Sequence, residues 1–113
     1  MSKTRFWYLV YTKPRAEIQA NDNLVRQDYE TNLPLVQKQG SCNGRYTKQT
    51  KTFFPRYLFI HLDCRTDNWA PIRSTIGIAG IIRFGGLPAA VPDSLIVSLK
   101  INEDNSGIQK MPQ

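Results

Sequence analysis

Residues 53–63, Phe-Phe-Pro-Arg-Tyr-Leu-Phe-Ile-His-Leu-Asp (FFPRYLFIHLD), decide how the rest of this sequence is read. The centre of the stretch is aromatic and β-branched, which suits a strand. A strand sends alternate side chains to opposite faces. Leu58, Ile60 and Leu62 then share one face, and Tyr57, Phe59 and His61 share the other. A small sheet ordinarily packs one face on a core and leaves the other wet. Here the second face carries two aromatic rings, so something must cover them.

Upstream, Phe6–Thr12 (FWYLVYT) predicts a first strand. The residues after it predict a helix from about Pro14 to Gln27. Proline suits a first helical turn, where its missing N–H costs nothing. Ala20 and Leu24 are four apart and Ile18 and Val25 seven apart, an apolar stripe at helical spacing. The next stretch, TNLPLVQKQ, is extended, and Pro34 argues for a sheet edge or an irregular segment there. Asn43-Gly44 signals a hairpin, because both central residues of the favoured turn take positive φ. Its polar, basic flanks predict that it projects into solvent. Downstream, Asp67 is placed to cap a short helix whose length Pro71 limits. Ile78–Phe84 (IAGIIRF) predicts another strand, closed by Gly85-Gly86. A last helix is expected from near Pro92, with Leu95, Ile96 and Leu99 on it. The polar end of the chain reads as frayed or a linker. The order β-α-β-hairpin-β-α-β-α predicts an α+β, ferredoxin-like sandwich with a mainly antiparallel four-stranded sheet.

A chain of 113 residues fits one domain, and one of this size buries roughly 65% of its unfolded surface. Fifteen Lys and Arg face nine Asp and Glu, for a net charge of +6. Lys38, Arg45, Lys48, Lys51 and Arg56 follow one another with no acidic residue between them. Such a balance suits work near nucleic acid. Cys42 and Cys64 form no C-x-x-C pair, and a single His cannot complete a zinc set with them. They are expected as free thiols in a reducing compartment, a disulfide remaining geometrically open. Phe6–Tyr11 is too short for a signal-peptide core, and no run approaches the ~18–20 apolar residues of a membrane span. The chain is therefore expected in the cytoplasm, with no membrane partner. Gly85-Gly86 lacks the context of a phosphate loop. His61 has no nucleophile or carboxylate motif beside it, and the carboxylates are scattered. No catalytic residue, cofactor, metal or small-molecule substrate is assigned, and the chain is read as a non-enzyme.

The rings on the second face are either core, covered by helices, or a docking face. Tyr8 and Tyr11 in the first strand, Phe53, Phe54 and Phe84 add to them, and Ile82 shares a face with Phe84 by parity. An exposed aromatic cluster on a basic domain is usually a docking site. Single-stranded RNA stacking on sheet aromatics is one candidate occupant. A protein is the other. Burying four rings at about 1.5–3 kcal/mol each yields roughly 6–12 kcal/mol, against an association cost of about 4–15 kcal/mol. A purely structural interaction domain is a third, weaker reading.

Several separated motifs then resemble one family. WYLVYTKPRAE, ANDNLVRQ, FFPRYLFIHLD and STIGIAGIIRFGGLPAAVP occur in the order found in the N-terminal (NGN) domain of NusG-family transcription elongation factors. The helix pattern E-x-x-A-x-x-x-L-x-x-Q is matched by Glu17, Ala20, Leu24 and Gln27. The resemblance spans roughly residues 6–100, and IIRFGGLPAAVP with the short basic hairpin is most similar to the RfaH-type specialised antiterminators. It implies an NGN domain over residues 1–102, with 103–113 a linker toward an absent C-terminal KOW barrel. Lacking that barrel, the ring face is expected to stand open.

The resemblance also implies partners. The expected role is a monomeric elongation and antitermination factor that suppresses pausing by RNA polymerase. Tyr11, Phe54, Pro55, Tyr57, Phe59 and Phe84 fall where such domains bind the clamp helices of the polymerase β′ subunit. Asn68, Trp69, Ala70 and Pro71 fall where RfaH-type proteins meet the β-subunit gate loop, with Trp and Pro in place of a His-Thr run. Lys13, Arg26 and Thr75 match positions that touch the non-template DNA strand. Asn23 stands where a His is usual and Ile76 where an Arg is, with Arg15 placed to compensate. This implies a different or relaxed DNA preference.

Overall fold

A computed structural model describes residues 5–42, 44–63, 68–104 and 107–109. The elements in chain order are β1 (Phe6–Thr12), α1 (Glu17–Arg26), β2 (Glu30–Asn32), β3 (Leu35–Cys42), β4 (Arg45–Thr52), β5 (Tyr57–Leu62), α2 (Ala70–Arg73), β6 (Ile78–Ile81), β7 (Arg83–Phe84), β8 (Leu87–Pro88), β9 (Ala90–Val91), α3 (Asp93–Ile101) and β10 (Ile108–Gln109).

The main sheet runs β2-β5-β1-β6, with β9 also on β1, and every pairing in it is antiparallel. β6 takes the Val10–Thr12 end of β1 and β9 takes Trp7–Tyr8. The two lie end to end along one edge, so the sheet has the expected four strand positions. Its register sets Tyr8 against Ile60 and Val10 against Leu58 on one face. Leu9 against Phe59 and Tyr11 against Tyr57 follow on the other.

On the first face Tyr8, Val10, Leu58, Ile60 and Leu62 pack with Ala20 and Leu24 of α1, Ile72 of α2 and Ile78. On the second, Trp7 and Phe59 pack with Ile96 and Leu99 of α3. One helix covers only part of that face, and the uncovered part positions the site.

Three local expectations change, and one falls outside the described residues. Helix α1 begins at Glu17, not near Pro14, because Lys13–Arg15 forms a turn. Arg15 there has φ 61° and the Ala16 N–H donates to the Lys13 carbonyl at 3.0 Å. Its buried stripe is Ala16, Ala20 and Leu24, whereas Ile18 and Val25 face solvent. The small residues let the chain approach closely: a Cβ on Gly77, at φ +100°, would sit 3.0 Å from Ala20 Cβ. Second, the expected cap Asp67 lies outside the described residues; Asn68 Oδ1 accepts the Ala70 N–H at 3.0 Å at the start of α2. Third, the strand predicted over Ile78–Phe84 is broken at Ile82, whose N–H donates to the Leu9 carbonyl at 3.2 Å. β7 then turns back on β8 through Gly85 and Gly86, both at positive φ.

Fourth, the end of the chain is not all frayed. Ile108 and Gln109 are buried and pair in parallel with Leu35 and Val36 of β3. Gln109 Nε2 donates to the Leu99 carbonyl at 2.8 Å, satisfying an acceptor that the end of α3 leaves open. Asn102 Nδ2 donates to Gln109 Oε1 at 2.9 Å. The β3–β4 hairpin is paired from Leu35↔Thr52 to Cys42↔Arg45. Gly44 has φ +76°, as its turn requires, and Asn43 lies outside the described residues.

Candidate functional site

The uncovered part of the second face is an apolar hollow of about 350 Å3, lined by Leu9, Phe54, Tyr57, Phe59, Ile82, Phe84, Val91 and Leu95. The antiparallel register explains its floor, because Leu9 and Phe59 are directly opposed and point to the same side. Phe59 is only 3% exposed and rests on Ile96 and Leu99 of α3. The rim stands out: Tyr57 is 38% exposed and Phe84 76%. Phe54 packs edge-on against Phe59, centroids 6.0 Å apart, and Phe53 packs edge-on against Phe54 at 4.8 Å. The rings thus brace one another before any partner arrives.

The Pro55-Arg56 corner aims Tyr57 into β5. Arg56 has φ +71°, a conformation that costs an L-residue roughly 1–2 kcal/mol. Its contacts offset that. The Arg56 N–H donates to Glu17 Oε1 at 3.1 Å, and its Nε donates to the Thr12 carbonyl at 3.2 Å. Its guanidinium lies 4.2 Å from the centre of the Tyr11 ring, a cation–π contact. Tyr11 in turn meets Tyr57, centroids 5.7 Å apart.

His61, on the same face by parity, does not reach the hollow. It stacks on Trp7 at 4.7 Å, and its Nδ1 lies 2.6 Å from Glu30 Oε1. That hydrogen bond holds the Glu30 carboxyl below the usual range; the positive charges of His61, Lys100 and Arg5 act in the same direction, and burial opposes them. Lys100 Nζ lies 5.4 Å from the Trp7 ring centre. This group lies by Lys100 near the C-terminal end of α3, whereas Leu95 near the start of the same helix lines the hollow.

Of the six side chains expected at the docking face, Phe54, Tyr57, Phe59 and Phe84 line the hollow and Tyr11 adjoins it through Tyr57. Pro55 does not line it. It lines a separate cleft against Arg15, Glu17 and Ile18. Leu9, Val91 and Leu95 were not anticipated there. Parity in the first strand could have found Leu9, which follows Trp7 and precedes Tyr11 on that side.

The second set divides. Asn68, Ala70 and Pro71 are exposed, but Trp69 is half-buried, edge-on to Tyr8 at 5.3 Å. In the third set, Lys13, Arg15 and Arg26 are exposed. Thr75 is 6% exposed and its hydroxyl is engaged twice. It accepts from Gln27 Nε2 at 2.8 Å and donates to the Pro71 carbonyl at 2.8 Å, tying α2 to α1. Asn23 is half-buried and donates to the Ile76 carbonyl at 3.1 Å. Both side chains hydrogen-bond within the framework of that surface. Among the described residues no three His, Cys, Asp or Glu side chains gather as a metal site. No helix there is long and apolar enough to cross a membrane.

Residues 5–100 match the sequence model of a family described as transcription termination factor nusG. A transcription termination/antitermination protein NusG from Staphylococcus carnosus (strain TM300) is 26% identical over 89 residues, covering 71% of this chain and 49% of that protein. A solved structure of domain interaction in Thermotoga maritima NusG superposes with a TM-score of 0.54 at 20% identity, covering 80% of this chain and 52% of that one. The chain spans about half the length of these relatives.

Proposed function

The chain belongs to the NusG family, and we propose that its apolar hollow seats the clamp helices of the RNA polymerase β′ subunit, so that the domain acts in elongation and antitermination. The observation that carries this is the hollow itself: an apolar concavity on the sheet face that α3 leaves bare, rimmed by exposed rings. A helical hairpin presents apolar side chains at helical spacing to such a groove. No bond is made or broken. The domain favours the elongating conformation of the polymerase by binding it better than the paused one, and its effect is limited by that difference in affinity.

Two further contacts belong to the same proposal. The exposed Asn68, Ala70 and Pro71 face the β-subunit gate loop, and Lys13, Arg15 and Arg26 contact the phosphates of the non-template DNA strand. Arginine and lysine at phosphates fix register rather than sequence, which fits a relaxed DNA preference. The RfaH-type assignment rests on IIRFGGLPAAVP, whose β7–β8 turn carries the exposed Phe84 to the rim.

Purified polymerase on a template with a defined pause is the test. Adding the domain should shorten the pause, and a Tyr57→Ala, Phe84→Ala double variant should not. Unchanged pausing with the unaltered domain would overturn the reading. An RNA-binding module is disfavoured because the floor ring, Phe59, is buried and braced edge-on by Phe54, leaving it no open face for a base. Tight free-RNA binding lost in the double variant would reinstate it.

A further inference from the structure

The chain that follows α3 ties together two parts of the wall of the hollow. One part is α3, whose Leu95 lines the hollow and whose Ile96 and Leu99 pack with the floor ring Phe59. The other is Phe54, on the segment that leaves the β3–β4 hairpin. There Thr52 pairs with Leu35, and the Phe53 N–H donates to the Pro34 carbonyl at 2.8 Å. β10 reaches both parts. Ile108 and Gln109 pair with Leu35 and Val36 at the hairpin base, while Gln109 Nε2 donates to the Leu99 carbonyl of α3. Neither Ile108 nor Gln109 lines the hollow itself.

A compact turn delivers this strand. The Gly107 N–H donates to the Asp104 carbonyl at 3.1 Å, the Ile108 N–H to Asp104 Oδ1 at 3.0 Å, and the Asp104 N–H to the Ile108 carbonyl at 2.8 Å. Gly107 takes φ +78°, which suits a residue without Cβ. Ile108 is then 8% exposed and Gln109 3%. The Gln109 amide is used at both ends, its nitrogen on Leu99 and its oxygen on Asn102 Nδ2 at 2.9 Å. Those bonds are made while β10 lies on β3. A two-residue strand at a sheet edge opens locally at a fraction of the cost of global unfolding.

We propose that β10 is a strap that regulates the docking face. Closed, it holds α3 and the Phe53–Phe54 corner at the spacing the hollow requires; open, it lets them part. Anything that draws residues 108–109 from β3 therefore weakens docking. This rests on the reading of the hollow as a docking face. An occupant that touches Leu95 and Phe54 together makes both contacts only in the closed state, so it binds that state better. Linkage is reciprocal: docking must hold the strap shut by the same factor that full opening of the strap costs docking.

Hydrogen exchange of the free protein is the first measurement. Gln109→Ala removes both side-chain bonds and should speed exchange at residues 108–109, in the last turn of α3 and at Phe53. Acceleration confined to β10 would overturn the strap, whether or not anything docks. Titration of the β′ clamp-helix fragment is the second. Gln109→Ala leaves every residue lining the hollow intact, yet it should weaken binding about 5-fold or more. In the unaltered protein, saturating fragment should slow exchange of the paired β10 and β3 amides by no less than the factor the variant loses, and this readout needs no variant to fold. Full-strength binding by Gln109→Ala, or β10 exchange that docking leaves unchanged, would overturn the coupling. An unaltered protein that ignores the fragment would overturn the docking reading instead, and exchange in the free protein then decides the strap.

Discussion

Phe84→Ala separates docking from folding more cleanly than any other change at the hollow. Phe84 is 76% exposed on a two-residue strand, so little folding energy resides in its ring, and removing it should shift stability by no more than about 0.5 kcal/mol. In a complex that buries the ring, the same truncation forfeits about 1.5–3 kcal/mol. The clamp-helix fragment should then bind roughly 10- to 150-fold more weakly. Phe59→Ala cannot give this information. Phe59 is 3% exposed and shared with α3, so its loss costs roughly 3–5 kcal/mol of folding, a large share of a domain's ~5–15 kcal/mol. Calorimetric titration of the β′ clamp-helix fragment into each variant, alongside urea denaturation, distinguishes the two. The reasoning fails if Phe84→Ala binds within a factor of about two of the parent, or if it unfolds at markedly lower urea.

Three further outcomes follow from the framework. Gly77→Ala puts an L-residue at φ +100° and a methyl 3.0 Å from Ala20 Cβ; strain of about 1–2 kcal/mol and overpacking of about 1–3 kcal/mol should sum to a loss readable as a lower thermal midpoint. Thr12 Oγ1 is buried with no hydrogen-bond partner among the described residues, so Thr12→Val should leave urea stability equal or raise it by ~1 kcal/mol, and a clear loss would show the hydroxyl to be engaged. Glu30 has its folded pKa lowered by His61, so its contribution is complete above the ordinary carboxylate pKa and disappears as pH falls through the lower folded value. Since half of the Glu30 side chain is exposed, screening keeps this below ~1 kcal/mol. Glu30→Gln should flatten the acid limb of stability against pH by that amount, as read from urea midpoints.

Local pattern was sufficient wherever chemistry repeats at short range. Alternation in YLFIHL placed Leu58, Ile60 and Leu62 on the α1 face, where all three are fully buried. The hairpin followed from Asn-Gly, and α3 from the spacing of Ile96 and Leu99. Pattern failed where distant segments decide. Ile18 and Val25 have the spacing of a buried stripe, yet the helix is turned by the fit of Ala20 against Gly77, and both remain outside. Nothing near Thr75 in the chain announces Gln27 as its partner. Polar composition concealed β10, because a buried Gln109 is stable only when Leu99 and Asn102 supply its hydrogen bonds.

The sequence by itself determined that one strand carries apolar side chains on both faces, since the period of a strand is set by backbone stereochemistry alone. Only the tertiary structure decided which rings are floor and which are rim. Exposure depends on where α3 and the β7–β8 turn come to rest, and those placements are fixed by long-range pairing and close packing, which no window of neighbouring residues contains.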